Sequence, residues 1–304
     1  MTVTPATVVD RRSYGIGILL FAQLFFTGLD SCAKWMAISA IPTSEIIFIR
    51  YAVHVALAIA IFLPLQGFAL FRTGNWRLEV YRGICLLGIT FANFFAMQFL
   101  PLTVTGAVFY TSPLFITLLS GPMLGETVGW RRWAAVILGF IGVLIIVRPG
   151  TEAFHPASLL CLLGAICAAL FAIITRKLAG VDTAATQQVY SGVFALVFVT
   201  PFAIAEWQWP STGATWFAFA AAGVFGMLAH LLNAVALRYA SPAVLAPFSY
   251  AGLLLLAVSS WLTFGQPPDA YFYAGAPLII LSGLYIWLRE RRLQKMTIAA
   301  TVAD

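Results

Sequence analysis

Apolar side chains run along this 304-residue chain in long unbroken blocks, with turn-forming residues between them. Ten blocks read as helices, at about 14–38, 44–65, 80–99, 102–123, 130–147, 156–178, 184–205, 213–238, 242–264 and 269–289. Breakers fall between them: Pro42, Gly67, Pro101, Gly125, Pro149–Gly150, Asp182, Pro210, Pro242 and Pro267–Pro268. A β-barrel would require apolar and polar positions to alternate, and these runs do not. Connections as short as 99–102 and 238–242 make neighbouring helices antiparallel. The pattern predicts an all-α membrane bundle of ten transmembrane helices.

Composition sharpens this reading. Hydrophobic residues make up 62% of the chain and charged residues 9%, against roughly 25% charged in soluble domains. That excludes a cytosolic enzyme, a nucleic-acid reader and a secreted disulfide scaffold. The four cysteines, Cys32, Cys85, Cys161 and Cys167, all fall inside spans and read as small apolar residues. Charge placement gives the orientation. With a cytoplasmic N-terminus, fourteen of the seventeen basic residues lie at inner ends, Arg72, Arg77 and Arg82 among them. Both termini are then cytoplasmic. Arg148 sits at an outer end, while Lys34 and Arg50 lie in or near spans. Arg11–Arg12 before an apolar run could open a signal peptide, but the run is long and contains Asp30 and Lys34, so no cleavage is expected.

The chain also matches itself. At an offset of 140, residues 83–125 align with 223–265 without a gap, pairing Gly83 with Gly223, Asn93 with Asn233 and Tyr110 with Tyr250. At an offset of 142, Lys34 meets Arg176 and Glu45 meets Gln187. Five spans per half put the second half upside down, the inverted-repeat plan of alternating-access transporters. The predicted organisation is a first repeat at 1–150, a second at 151–292 and a cytoplasmic tail at 293–304.

The stretch from Ser112 through Gly121-Pro-Met-Leu-Gly-Glu126, followed by Trp130-Arg-Arg-Trp133 and Gly139-Phe-Ile-Gly-Val143, resembles the EamA branch of the drug/metabolite transporter superfamily. Ile49-Arg50-Tyr51 is similar to that family's Arg-aromatic pair. The second half departs from the pattern, with Gly265-Gln266 where a Gly-Glu turn is expected. Among members, the chain looks most like bacterial amino-acid exporters of the YddG type. The resemblance implies a central cavity lined by spans 1, 3, 4, 6, 8 and 9, and transport without an ATPase partner.

Polar groups inside hydrocarbon default to interior positions. Gln23, Thr27, Asp30 and Lys34 form one stripe on the first span. Arg50 and His54 lie one turn apart on the second. At 1.5 Å per residue, Asp30 lies about 12 Å and Arg50 about 9 Å from the outer edge. Matching depths suggest an Asp30–Arg50 ion pair, gating or structural, with Lys34 near Glu45. Asp30 could instead meet a substrate amine or a proton. His54 is a possible proton site, and otherwise a neutral hydrogen-bonding group. Cavity candidates are Gln23, Asn93, Tyr110, His230, Asn233 and Tyr250. The alternative for the Asn pair is interhelical glue. Pro113 and Pro247 should break their helices beside the two tyrosines. Glycines such as Gly139, Gly142, Gly15 and Gly17 should allow close helix contact.

No nucleotide-binding, zinc-protease or serine-hydrolase motif occurs, and Ser31-Cys-Ala-Lys34 stands in a span without companion motifs. The reading is therefore not an enzyme, with no cofactor or metal and no nucleic-acid partner. It is a secondary transporter of the bacterial inner membrane that exports small metabolites, most plausibly amino acids including aromatic ones. A broad drug or nucleotide-sugar carrier is the alternative, and a channel or scaffold ranks below it.

Overall fold

A computed structural model describes residues 12–124, 129–178, 181–239, 245 and 248–303. These are helices and connections: α1 (Arg12–Ile38), α2 (Thr43–Gln66), α3 (Trp76–Ala96), α4 (Leu102–Phe109), α5 (Ser112–Leu124), α6 (Trp130–Val147), α7 (Ala157–Leu178), α8 (Ala184–Ala205), α9 (Gly213–Tyr239), α10 (Ala251–Phe264) and α11 (Ala270–Ala303). A short 3-10 segment, Gly67–Phe71, continues α2. Seven of these helices are long and apolar enough to cross a membrane, and three apolar ones are shorter. The chain is a multi-pass, all-helical membrane protein.

Local chemistry explains the ends. Asn75 caps α3 by accepting the Leu78 N–H at 3.2 Å, and Thr183 caps α8 by accepting the Thr186 N–H at 3.1 Å. Gly265 closes α10 with φ near +63°, a backbone region that glycine enters without a Cβ clash. Asp269 accepts the Phe272 N–H at 2.8 Å at the start of α11 and also pairs with Arg148 at 2.9 Å. The expected fourth span is two helices, since α4 ends at Phe109 and α5 begins at Ser112. Pro113 lacks an N–H to continue the ladder, and the Thr111 hydroxyl donates back to the Val108 carbonyl. The second repeat breaks at Tyr250, at the same offset of 140 residues. Pro242, Pro247, Gly125 and Glu126, with the side chains of Thr117, Ser120, Arg176 and Arg238, lie outside the described residues.

Packing follows the repeat. Helix α1 lies along α9 and α7 along α3; α1 meets α10 and α7 meets α5; α2 meets α9 and α8 meets α3. The pairs α2–α8 and α6–α11 map onto themselves. Exchanging the two halves therefore leaves the packing scheme unchanged. Glycine makes these approaches close, because lipid supplies no hydrophobic drive between helices and contact distance decides their attraction. A Cβ on Gly83 would strike the Phe194 ring of α8, and one on Gly223 would strike Val53 of α2. Gly139 and Gly142 similarly seat α6 on α11, where a Cβ on Gly142 would meet the Gly275 carbonyl at 2.7 Å. Gly17 does not share this role. Nothing lies within 4 Å of its Cβ position, and it lines an apolar groove of about 570 Å³ between α1 and α10 on the bundle's outer surface.

Candidate functional site

The two helix breaks bring Tyr110 and Tyr250 together in the interior. Their ring centroids are 6.3 Å apart. The Tyr110 hydroxyl donates to Gln23 Oε1 at 3.0 Å and rests over Gly252, which has no Cβ to block it. The Tyr250 ring tip lies over Gly283 in the same way, and its buried hydroxyl has no hydrogen-bond partner. A sequence match 140 residues apart is thus a side-by-side pair at the junction of the repeats.

Beside this pair stands a charged cluster. Arg50 is 2% exposed. Its Nη1 donates to Thr90 Oγ1 at 3.1 Å, Nη2 lies 3.3 Å from His230 Nε2, and its guanidinium stacks over Tyr51 at 4.4 Å. Gly226 of α9 leaves room for it, since a Cβ there would sit 3.2 Å from Arg50 Nε. Tyr51 and Thr90 share a hydrogen bond at 2.8 Å. His54 is buried, neither of its ring nitrogens is hydrogen-bonded, and its ring is 6.2 Å from that of His230.

The expected Asp30–Arg50 ion pair does not form. Among the described residues, the N···O pair within 4.0 Å is Arg148–Asp269. Asp30 lies within electrostatic reach of both Arg50 and Tyr110, and among the described residues no hydrogen bond holds it. Equal depth along two helices does not specify the face on which each side chain sits. A hydroxyl and an imidazole engage two of the guanidinium nitrogens, and its Nε stays without a partner. Lys34 is corrected for a related reason. It donates to the Met97 and Leu100 carbonyls at 2.7 and 2.8 Å, just beyond the end of α3. Carbonyls at a helix C-terminus lack helical donors and carry partial negative charge. Glu45 turns elsewhere, accepting the Gln208 N–H at 3.1 Å. Lys34→Met keeps the packing volume but leaves these carbonyls bare. It is expected to lower stability by about 1 kcal/mol, read as a lower melting temperature of the purified protein.

Asn93 and Asn233 stay outside this network. Asn93 is buried with its Oδ1 unpaired, and Asn233 is half-buried. Two residues escaped the sequence reading. Arg82, counted as an inner-end cation, is 4% exposed. It bonds Thr175 at 2.9 Å, the Gln187 carbonyl at 2.7 Å and the Ser191 hydroxyl, and it stacks on Phe171 at 4.4 Å. Glu79, one turn before it, is buried with both carboxyl oxygens unpaired. An acid and a base three residues apart at the start of an apolar helix were the available signal.

Comparison with known proteins supplies the family. The model of the EamA-like transporter family matches residues 13–148 and again 155–288. The chain belongs to the EamA-like transporter family. A riboflavin transporter of Vibrio cholerae is 31% identical over 289 residues, covering 92% of this chain and 96% of its own. An S-adenosylmethionine uptake transporter of Rickettsia prowazekii is 28% identical, at 92% and 95% coverage. The pseudopaline exporter CntI of Pseudomonas aeruginosa is 27% identical, at 90% and 96%. A solved crystal structure with 22% identity has a TM-score of 0.68 over 90% of this chain and 96% of that chain, which shows the shared fold. This EamA-like protein is a membrane transporter of small molecules. Its relatives differ in cargo and are named for both uptake and export.

Proposed function

We propose that this chain is a secondary transporter of the bacterial inner membrane whose cargo is a zwitterionic metabolite with an aromatic ring, aromatic amino acids above all. The observation that carries this reading is Asp30, a carboxylate for which no hydrogen bond or ion pair is found among the described residues. It lies within electrostatic reach of Arg50, whose Nε is unpaired, and of Tyr110. A cargo ammonium complements Asp30, a cargo carboxylate complements Arg50, and the ring meets Tyr110 and Tyr250. Neither protein charge then needs the other. Outward movement rests on the resemblance to amino-acid exporters, the cytoplasmic termini on the charge asymmetry, and the rocking of one half against the other on the inverted repeat. A second reading, a neutral flavin-type cargo, is favoured by the riboflavin relative and by the tyrosine pair, which offers a flat ring two aromatic faces.

Flux of labelled phenylalanine and of labelled riboflavin from proteoliposomes separates the two. Phenylalanine flux is expected, with Tyr110→Ala and Asp30→Asn each impairing it. For Tyr110 the expected loss is about three- to tenfold, the worth of one aromatic contact. Riboflavin flux without phenylalanine flux replaces the first reading with the second. Flux of either cargo unaltered by both substitutions moves the site elsewhere.

A further inference from the structure

At the end of the bundle that carries the α2–α3 and α7–α8 connections, the two repeats are stitched together. Asp182 accepts the Thr73 hydroxyl at 2.6 Å and the Gly74 N–H at 2.8 Å. Val181 lies directly over Gly74, where a Cβ would meet its side chain at 2.7 Å. Thr183 donates to Gln66 at 3.2 Å, and the Tyr190 hydroxyl donates to the Phe71 carbonyl at 2.9 Å. Behind this seam sits Glu79, 1% exposed; no donor reaches either oxygen, and its protonated carboxyl can share a hydrogen bond with Asp182. The charges acting on it are Arg82 on its own helix and Asp182 on the α7–α8 connection. Helix α8 carries no charged residue. On α2 the charged and titratable groups are Glu45, Arg50, Tyr51 and His54, all toward its other end. On α7, Lys177 is exposed and the Arg176 side chain lies outside the described residues. The groups of α1 that reach α3, Asp30 and Lys34, lie at the far end, where Lys34 bonds beyond the α3 C-terminus.

We propose that Glu79 is a proton-binding site that couples protonation to the joining and parting of these two connections. A bare carboxylate in a dry pocket costs several kcal/mol. Arg82 offsets that cost only in part, because no N···O contact within 4.0 Å joins the two and its donors go to Thr175, Gln187 and Ser191. A proton lifts it directly, and it also removes the repulsion between Glu79 and Asp182 across the seam. A metal cation fits poorly, with the Arg82 guanidinium one turn away and the Asp182 oxygens already receiving two donors. When the connections part, water reaches Glu79, the carboxyl ionises, and two like charges then hold the seam open. Proton uptake therefore favours the joined state and proton release favours the parted one. The step is an acid–base equilibrium, and the released proton passes to water on that side of the membrane.

The test uses no cargo, so its outcome is independent of the substrate reading. Spin labels are placed at Arg72→Cys and Lys177→Cys in the full chain, with the four native cysteines replaced, and their separation is measured in lipid from about pH 5 to about pH 8. The parted population is expected to grow with pH, by at most about tenfold per pH unit for one linked proton. Glu79→Gln, neutral at every pH, is expected to stay joined throughout. Glu79→Asp, which keeps a carboxyl, is expected to respond with a displaced midpoint. A merely structural Glu79 would leave the separation indifferent to pH in the unmodified chain, and that result overturns the proposal. An unaltered pH response in Glu79→Gln also overturns it. Should Glu79→Gln not fold, an undisplaced midpoint in Glu79→Asp does the same.

Discussion

Replacing Arg50 by lysine is expected to reduce transport about 10- to 100-fold while leaving a folded protein. Lysine keeps the charge but loses the planar fork. A single ammonium on a shorter reach cannot serve both Thr90 on α3 and His230 on α9, which Arg50 contacts at 3.1 and 3.3 Å. A hydrogen bond to a charged group contributes about 1.5–3 kcal/mol, and each 1.4 kcal/mol is about tenfold. The measurement is tracer flux in proteoliposomes at matched protein content, using labelled phenylalanine or riboflavin, whichever the unmodified chain carries. Melting temperature in detergent is recorded beside it. Lost transport with a retained melting temperature is the expected pattern. Unchanged flux would remove Arg50 from the site, and equal loss of flux and folding would make it structural.

The second large effect concerns packing. Gly223→Ala places a methyl group onto Val53 Cβ, far inside van der Waals contact, so α9 must move away from α2. Overpacking of this kind costs about 1–3 kcal/mol, occasionally more. The yield of monodisperse protein and its melting temperature should both fall. Val53→Gly removes the Cβ and both γ-methyl groups in the way, so the double substitution should recover much of the overpacking, a coupling of about 1–2 kcal/mol in a double-mutant cycle. Additive losses would show that Gly223 matters for some reason other than this contact. The matching change Gly83→Ala meets the Phe194 ring. An aromatic side chain can swing aside more readily than a β-branched Cβ, so its penalty should be smaller.

What was legible along the chain was whatever depends on neighbours in sequence. Apolar runs marked the helices, and proline with turn residues marked their ends. Pro113 foretold the break at Tyr110, and the repeat foretold that Tyr250 would mirror it. The 140-residue offset even flagged Gly83 and Gly223, whose shared purpose is contact between the halves. Asp30, Lys34, Arg50 and Arg82 were legible as intramembrane or near-membrane charges, but their partners were not. Depth along a helix is countable, whereas the face a side chain takes against a helix from the other repeat is not. The Lys34 ammonium went to backbone carbonyls, which no residue pattern labels as acceptors. Arg82 was assigned to the inner surface because positive charge at a span's end ordinarily marks topology. Its burial required α7 and α8 to close over it.

The sequence by itself determined that this is a helical membrane protein made of two related halves, with a tyrosine at the break in each. Local backbone preference and the solvent demand of apolar runs suffice for that. Only the tertiary structure decided that the two tyrosines meet, that Arg50 joins Thr90 and His230 rather than Asp30, and that Glu79 is sealed behind the Asp182 seam. Each of those outcomes is set by which helix faces come within a few ångströms of one another, and that is a property of packed pairs rather than of any single segment.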